Sequence, residues 1–137
     1  MDDKELIRKS YTGDILDIFN EIEIKMIELI LKFIDFKDRG ISQTKFKSIE
    51  DINYDFASKI CFYLGIINED LFKNLKGFKS GRNKFAHRKF SWYLVNIESS
   101  KIKIEGGVLF KLGSKILMKL EIIEKDLDKK REELKKI

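Results

Sequence analysis

Between Asp14 and Phe36 the apolar residues Ile15, Phe19, Ile22, Met26, Ile30, Phe33 and Ile34 recur at steps of three and four. That is the period of one helix face, so the stretch reads as a long amphipathic α-helix. The same period returns in Leu71, Leu75, Phe78, Arg82 and Phe85, and again in Leu112, Ile116, Leu120, Ile123 and Leu127. The chain contains no proline, so no residue lacks the backbone donor that a helix needs. With 137 residues, 43% hydrophobic and 37% charged, it holds enough apolar surface for one core and too little for two. The expected fold is therefore all-α, a bundle of four to five helices in a single domain over residues 1–137.

Local signals set the expected boundaries. Residues 2–9, DDKELIRK, open on acids suited to a helix N-terminus, with Asp2 and Glu5 at capping-box spacing, and read as a short separate helix. The long helix from Asp14 should stop near Gly40, and residues 41–52 show no period and read as a connection. Residues 53–66 place Phe56, Ile60, Tyr63 and Leu64 on one stripe, with Asn53 or Asp55 as cap and Gly65 as stop. Asn68 can cap the next helix, whose Gly77 and Gly81 suggest a bend. Over residues 92–107 the pattern changes: Ile102 to Glu105 alternate and Trp92 to Val95 are strand formers. A short β-hairpin before the last helix thus stands beside a plain helix–helix loop. The last helix, Leu109 to Leu134, ends in a charge-dense tail that reads as a solvated face or a pairing surface.

Composition excludes several function classes. Cys61 is the single cysteine and His87 the single histidine, so no internal disulfide and no metal centre is expected. Neither a phosphate-cradling glycine loop nor a dinucleotide fingerprint is present, and no cofactor is implied. The absence of a signal pattern and of a long uncharged apolar run points to a cytoplasmic protein that does not enter a membrane. The charge is uneven. Residues 71–104 carry Lys73, Lys76, Lys79, Arg82, Lys84, Arg88, Lys89, Lys101 and Lys103 against Glu98 alone, a field that suits a polyanion such as RNA.

Within this basic segment lies SGRNKFAHRKF, residues 80–90. Arginine, asparagine and histidine are the side chains that RNA phosphodiester chemistry uses without a metal. A histidine with a pKa near neutrality can take a proton from a 2′-hydroxyl or give one to a leaving 5′-oxygen. A guanidinium can fork onto non-bridging phosphate oxygens and stabilise the charge that builds there, and asparagine can orient either neighbour. The expected catalytic residues are Arg82, Asn83 and His87, with Lys79, Lys84, Arg88 and Lys89 as RNA contacts. Five residues on an α-helix turn through roughly 500°, leaving positions 82 and 87 about 140° apart. Either the helix breaks between them, or two copies meet across a two-fold axis. A structural alternative for Arg82 is to pack its stem and pair with Glu50 or Asp51. Phe90, Trp92 and Tyr93 could stack bases or fill the core.

RNKFAH, residues 82–87, resembles the signature of the HEPN superfamily of small all-helical domains. The upstream residues Lys59, Ile60, Leu64, Gly65, Ile67 and Leu71, followed by Arg82, Asn83, Phe85, Ala86 and His87, are similar to the mannitol-operon-repressor-like branch. The likeness is best over residues 56–90. It implies a homodimer through the motif helix and a metal-independent endoribonuclease of toxin–antitoxin, CRISPR-linked or antiviral defence systems, with a nucleotidyltransferase-like antitoxin as a possible partner. Carried over, Arg82 holds the scissile phosphate, Asn83 orients it or the histidine, and His87 moves the proton. The alternative implied by the same branch is a non-catalytic helical regulator or adaptor that binds protein or nucleic acid.

Overall fold

The structure, a computed structural model, describes residues 3–37, 53–87 and 99–135. They form four helices: α1 (Asp3–Lys37), α2 (Tyr54–Tyr63), α3 (Glu69–His87) and α4 (Ser99–Lys135). Among the described residues there is no strand, and the fold is an all-α bundle. The expected connection at 41–52 and the strand formers Trp92 to Val95 lie outside the described residues.

α1 is one helix of 35 residues, not the two expected from the sequence. A glycine inside a helix costs only about 1 kcal/mol, and packing on both sides of Gly13 exceeds that. Ile7 and Tyr11 pack against the core before it, and Ile15, Ile18 and Phe19 are buried after it. α4 likewise starts earlier than expected. Ile102 to Glu105, whose alternation suggested a strand, form its second turn, with Ile102 fully buried and Ile104 in solvent. The backbone at Gly106, which lies against the Tyr11 ring, anchors this end of α4 on α1, and Ile102 is buried in the core. Tertiary packing outweighs local β propensity there.

α1 and α4 lie side by side and run parallel. Tyr11 meets Gly106, Ile18 meets Gly113, Lys25 meets Glu124 and Lys32 meets Asp128, in rising order on both helices. α3 runs the other way, with Phe78 against Gly113 and Gly81 against Leu109. Gly113 sits where three helices converge: a Cβ there would stand 2.6 Å from Ile18 Cγ2 and 2.8 Å from Phe78 Cε2.

α2 starts as the sequence suggests. The Asn53 side chain accepts from the Phe56 amide at 3.0 Å, satisfying one of the free donors of the first turn. Its end is closed by Gly65 at φ 75°: the Gly65 amide donates to Phe62 O and the Ile66 amide to Cys61 O, a Schellman closure that needs a left-handed residue. Its facing, however, is the reverse of the expectation. Phe56, Tyr63 and Leu64 are exposed, whereas Tyr54, Ala57, Ser58 and Cys61 are buried, with Ile60 half-buried between. Ala57, Ser58 and Cys61 are small, and they let α2 come close enough to α1 for the Cys61 thiol to reach the Met26 carbonyl, 3.8 Å away.

Candidate nucleic-acid interface

α3 carries the motif in its last turns. The Asn68 side chain accepts from the Leu71 amide at 2.8 Å and so caps its start. Leu71, Leu75, Phe78 and Phe85 are buried, as their period predicts, and Arg82 takes the remaining place in that row. A guanidinium cannot enter an apolar core unpaired, so it must lie along the edge. It does so over Phe19 of α1, with its central carbon 4.1 Å from the ring centroid. Phe19 in turn stacks on Tyr54, the rings 4.2 Å apart and 13° from parallel. The Tyr54 hydroxyl donates to Leu75 O at 2.8 Å. Burial, and then the Asp55 charge, push that hydroxyl far above the ordinary tyrosine range, with the Arg82 charge pulling the other way. Tyr54 therefore remains a neutral donor, and the ring stack beneath Arg82 is held at both ends.

Among the described residues the buried Arg82 Nε has no hydrogen-bond partner, and none of their ion pairs involves its guanidinium. A buried donor left unpaired costs about 1–3 kcal/mol, against which a desolvated cation–π contact returns up to about 2 kcal/mol. Glu50 and Asp51, the carboxylates that the sequence offers for a structural role of Arg82, lie outside the described residues.

The other expected site residues divide. Asn83 is half-buried and Lys84 exposed. Lys79 pairs with Asp55 in the first turn of α2, so this cation already holds a carboxylate. The side chain of His87, and Arg88 and Lys89, lie outside the described residues. At the expected bend the helix is not interrupted: α3 runs from Glu69 to His87 through both glycines. Gly77 faces open space, and Gly81 admits Leu109 of α4, so the second glycine serves close packing. An unbroken helix keeps positions 82 and 87 about 140° apart.

Two features were not anticipated. Between the end of α3 and the start of α4 lies a groove of about 310 Å³, walled by Gly81, Lys84 and Phe85 on one side and Ile104, Glu105, Val108 and Leu109 on the other. Beyond it, Lys111, Lys115 and Lys119 stand exposed at successive turns of α4. The four-residue spacing in KLGSKILMK, residues 111–119, was the available signal. The ring beneath Arg82 left none, because Phe19 is remote in sequence.

Comparison with protein-family models, with curated proteins and with solved structures finds no match to the chain. Among the described residues no helix is long and apolar enough to cross a membrane.

Proposed function

We propose that the protein is a metal-independent endoribonuclease of HEPN type, acting as a homodimer in the cytoplasm as a toxin or defence effector. The observation that carries this reading is the state of Arg82 at the head of RNKFAH: a guanidinium oriented by a fixed ring stack, without a carboxylate among the described residues. A preoriented cation of this kind suits a phosphate, because little reorganisation is needed as charge builds on the phosphoryl oxygens.

In the reaction, the 2′-oxygen attacks the adjacent phosphorus while the bond from phosphorus to the 5′-oxygen breaks. The 2′-hydroxyl proton is lost and the leaving 5′-oxygen gains one, giving a 2′,3′-cyclic phosphate and a 5′-hydroxyl. Arg82 holds the non-bridging oxygens, Asn83 orients the phosphate or the imidazole, and His87 transfers the proton. Since α3 is unbroken, a second chain supplies the convergence, and a nucleotidyltransferase-like antitoxin would mask the resulting site.

The test is incubation of the purified protein with mixed RNA in chelator. His87→Ala should lower cleavage by about 10²- to 10⁴-fold, and Arg82→Met, which keeps a stem over Phe19, should abolish it while the melting curve stays cooperative. Cleavage that survives both substitutions rejects the proposal. The second reading, a non-catalytic regulator or adaptor, is favoured by the outward apolar face of α2, with Phe56 55% and Tyr63 81% exposed. It predicts no His87-dependent cleavage at all.

A further inference from the structure

Lys111, Lys115 and Lys119 follow one another at four-residue steps on the solvent side of α4. Like charges at this spacing repel and work against the helix. None of the three has an ion-pair or hydrogen-bond partner among the described residues. The rise between neighbours is about 6 Å, a step that an extended nucleotide backbone can follow. At the N-terminal end of the row, on the same side of α4, Ile104 and Val108 are 64% and 61% exposed. These two residues wall the groove shared with α3, and the exposed Lys84 stands on its opposite side.

Together these features make a continuous strip. It begins beside the last turn of α3, passes an apolar cleft, and continues as a row of exposed lysines without partners among the described residues. We infer that α4 is a guide track for single-stranded RNA, with phosphates on Lys111, Lys115 and Lys119 and one unstacked base in the cleft between Gly81, Phe85, Ile104 and Val108, beside Lys84. The inference rests on the RNA reading above and adds the substrate class: an unpaired strand extending several nucleotides from the cut. A duplex keeps its bases stacked and cannot fill an apolar cleft, whereas a free strand can.

The experiment is binding of a fluorescent single-stranded RNA and of the matching duplex to the full chain across a salt series. It compares the parent with the triple variant Lys111→Gln, Lys115→Gln, Lys119→Gln. A control triple variant on the tail, Lys125→Gln, Lys129→Gln, Lys130→Gln, removes the same charge elsewhere. Each phosphate contact on a single strand adds about 0.7 to the salt slope, so the track variant should lose about 2 and bind at least tenfold more weakly near 0.1 M salt. The control should keep the parental slope, and the parent should prefer the single strand.

Equal losses in the two triple variants, an unchanged slope in the track variant, or a preference for the duplex would overturn the track. So would a track variant that loses binding to phosphatidylserine vesicles while keeping its RNA affinity, because the row would then serve a lipid surface. The RNase reading fails separately: a parent that binds through the track but shows no His87-dependent cleavage keeps the track and loses the nuclease. A parent that binds no RNA loses both.

Discussion

Arg82 shows how one residue can satisfy a packing pattern and break it. Its place in the α3 row is apolar by period, and its stem follows that period, but its head rests on Phe19 instead of entering the core. The place of Arg82 in the row was legible, because steps of three and four run through it from Leu71 to Phe85. The support under Arg82 was not, because Phe19 and Tyr54 reach it from other helices. Cys61 is the opposite case, a reactive residue type made inert. Burial pushes its thiol up to about 12, and it is fully enclosed. A thiol of ordinary pKa, about 8.5, is partly ionised at pH 8, whereas Cys61 is not. A disulfide reagent at pH 8 should leave the native protein unlabelled and react with one thiol once denaturant is added. Rapid stoichiometric labelling without denaturant would show that α2 does not pack as described.

At the level of the helices, period was a good guide to existence and a poor guide to facing and extent. α3 was readable because its apolar row is single and sharp. α2 offers two candidate faces, and a count of apolar residues favours the large ones, Phe56, Tyr63 and Leu64. The close approach to α1 selects the small ones instead. The start of α4 was hidden by Ile102 and Ile104, whose local alternation says nothing of where α1 lies. Glycines on α4 separate the two effects. Gly107 faces open space, so Gly107→Ala should stabilise by up to about 1 kcal/mol through helix propensity. Gly113→Ala gains the same propensity but drives a methyl into Ile18 and Phe78, which should cost about 1–3 kcal/mol. Urea unfolding of the two variants should move the midpoint in opposite directions. Parallel shifts would mean that α1, α3 and α4 do not converge at Gly113.

Across the whole molecule, the parallel pair α1 and α4 is the frame on which the motif helix is hung. Its far end is tied by Lys25 and Lys32 to Glu124, at 3.0 and 3.3 Å, and by Lys32 to Asp128 at 3.0 Å. Burial works against the Glu124 charge, but the hydrogen bonds from the two lysines outweigh it, so its carboxyl titrates below the ordinary range. Stability from this group is complete above the unfolded glutamate value, about 4.3, and disappears as pH falls through the lower native one. The hydrogen bond to Glu124 likewise raises the Lys25 value, so the amine side of the pair weakens only in strong base. Because these groups are partly solvated, Glu124→Gln should cost no more than about 1 kcal/mol at pH 7. Its unfolding curve should merge with that of the parent in acid, and a constant difference across the acid range would remove Glu124 from the frame.

The proposed cleavage requires the cation held over Phe19 and the histidine at the end of the same helix to act on one phosphodiester bond. The most direct measurement is the chemistry of RNA ends after incubation with the purified protein in chelator. Ends bearing 2′,3′-cyclic phosphate and 5′-hydroxyl should appear with the parent and be lost with His87→Ala. RNA left intact by a folded parent, or ends that form equally with His87→Ala, would contradict it.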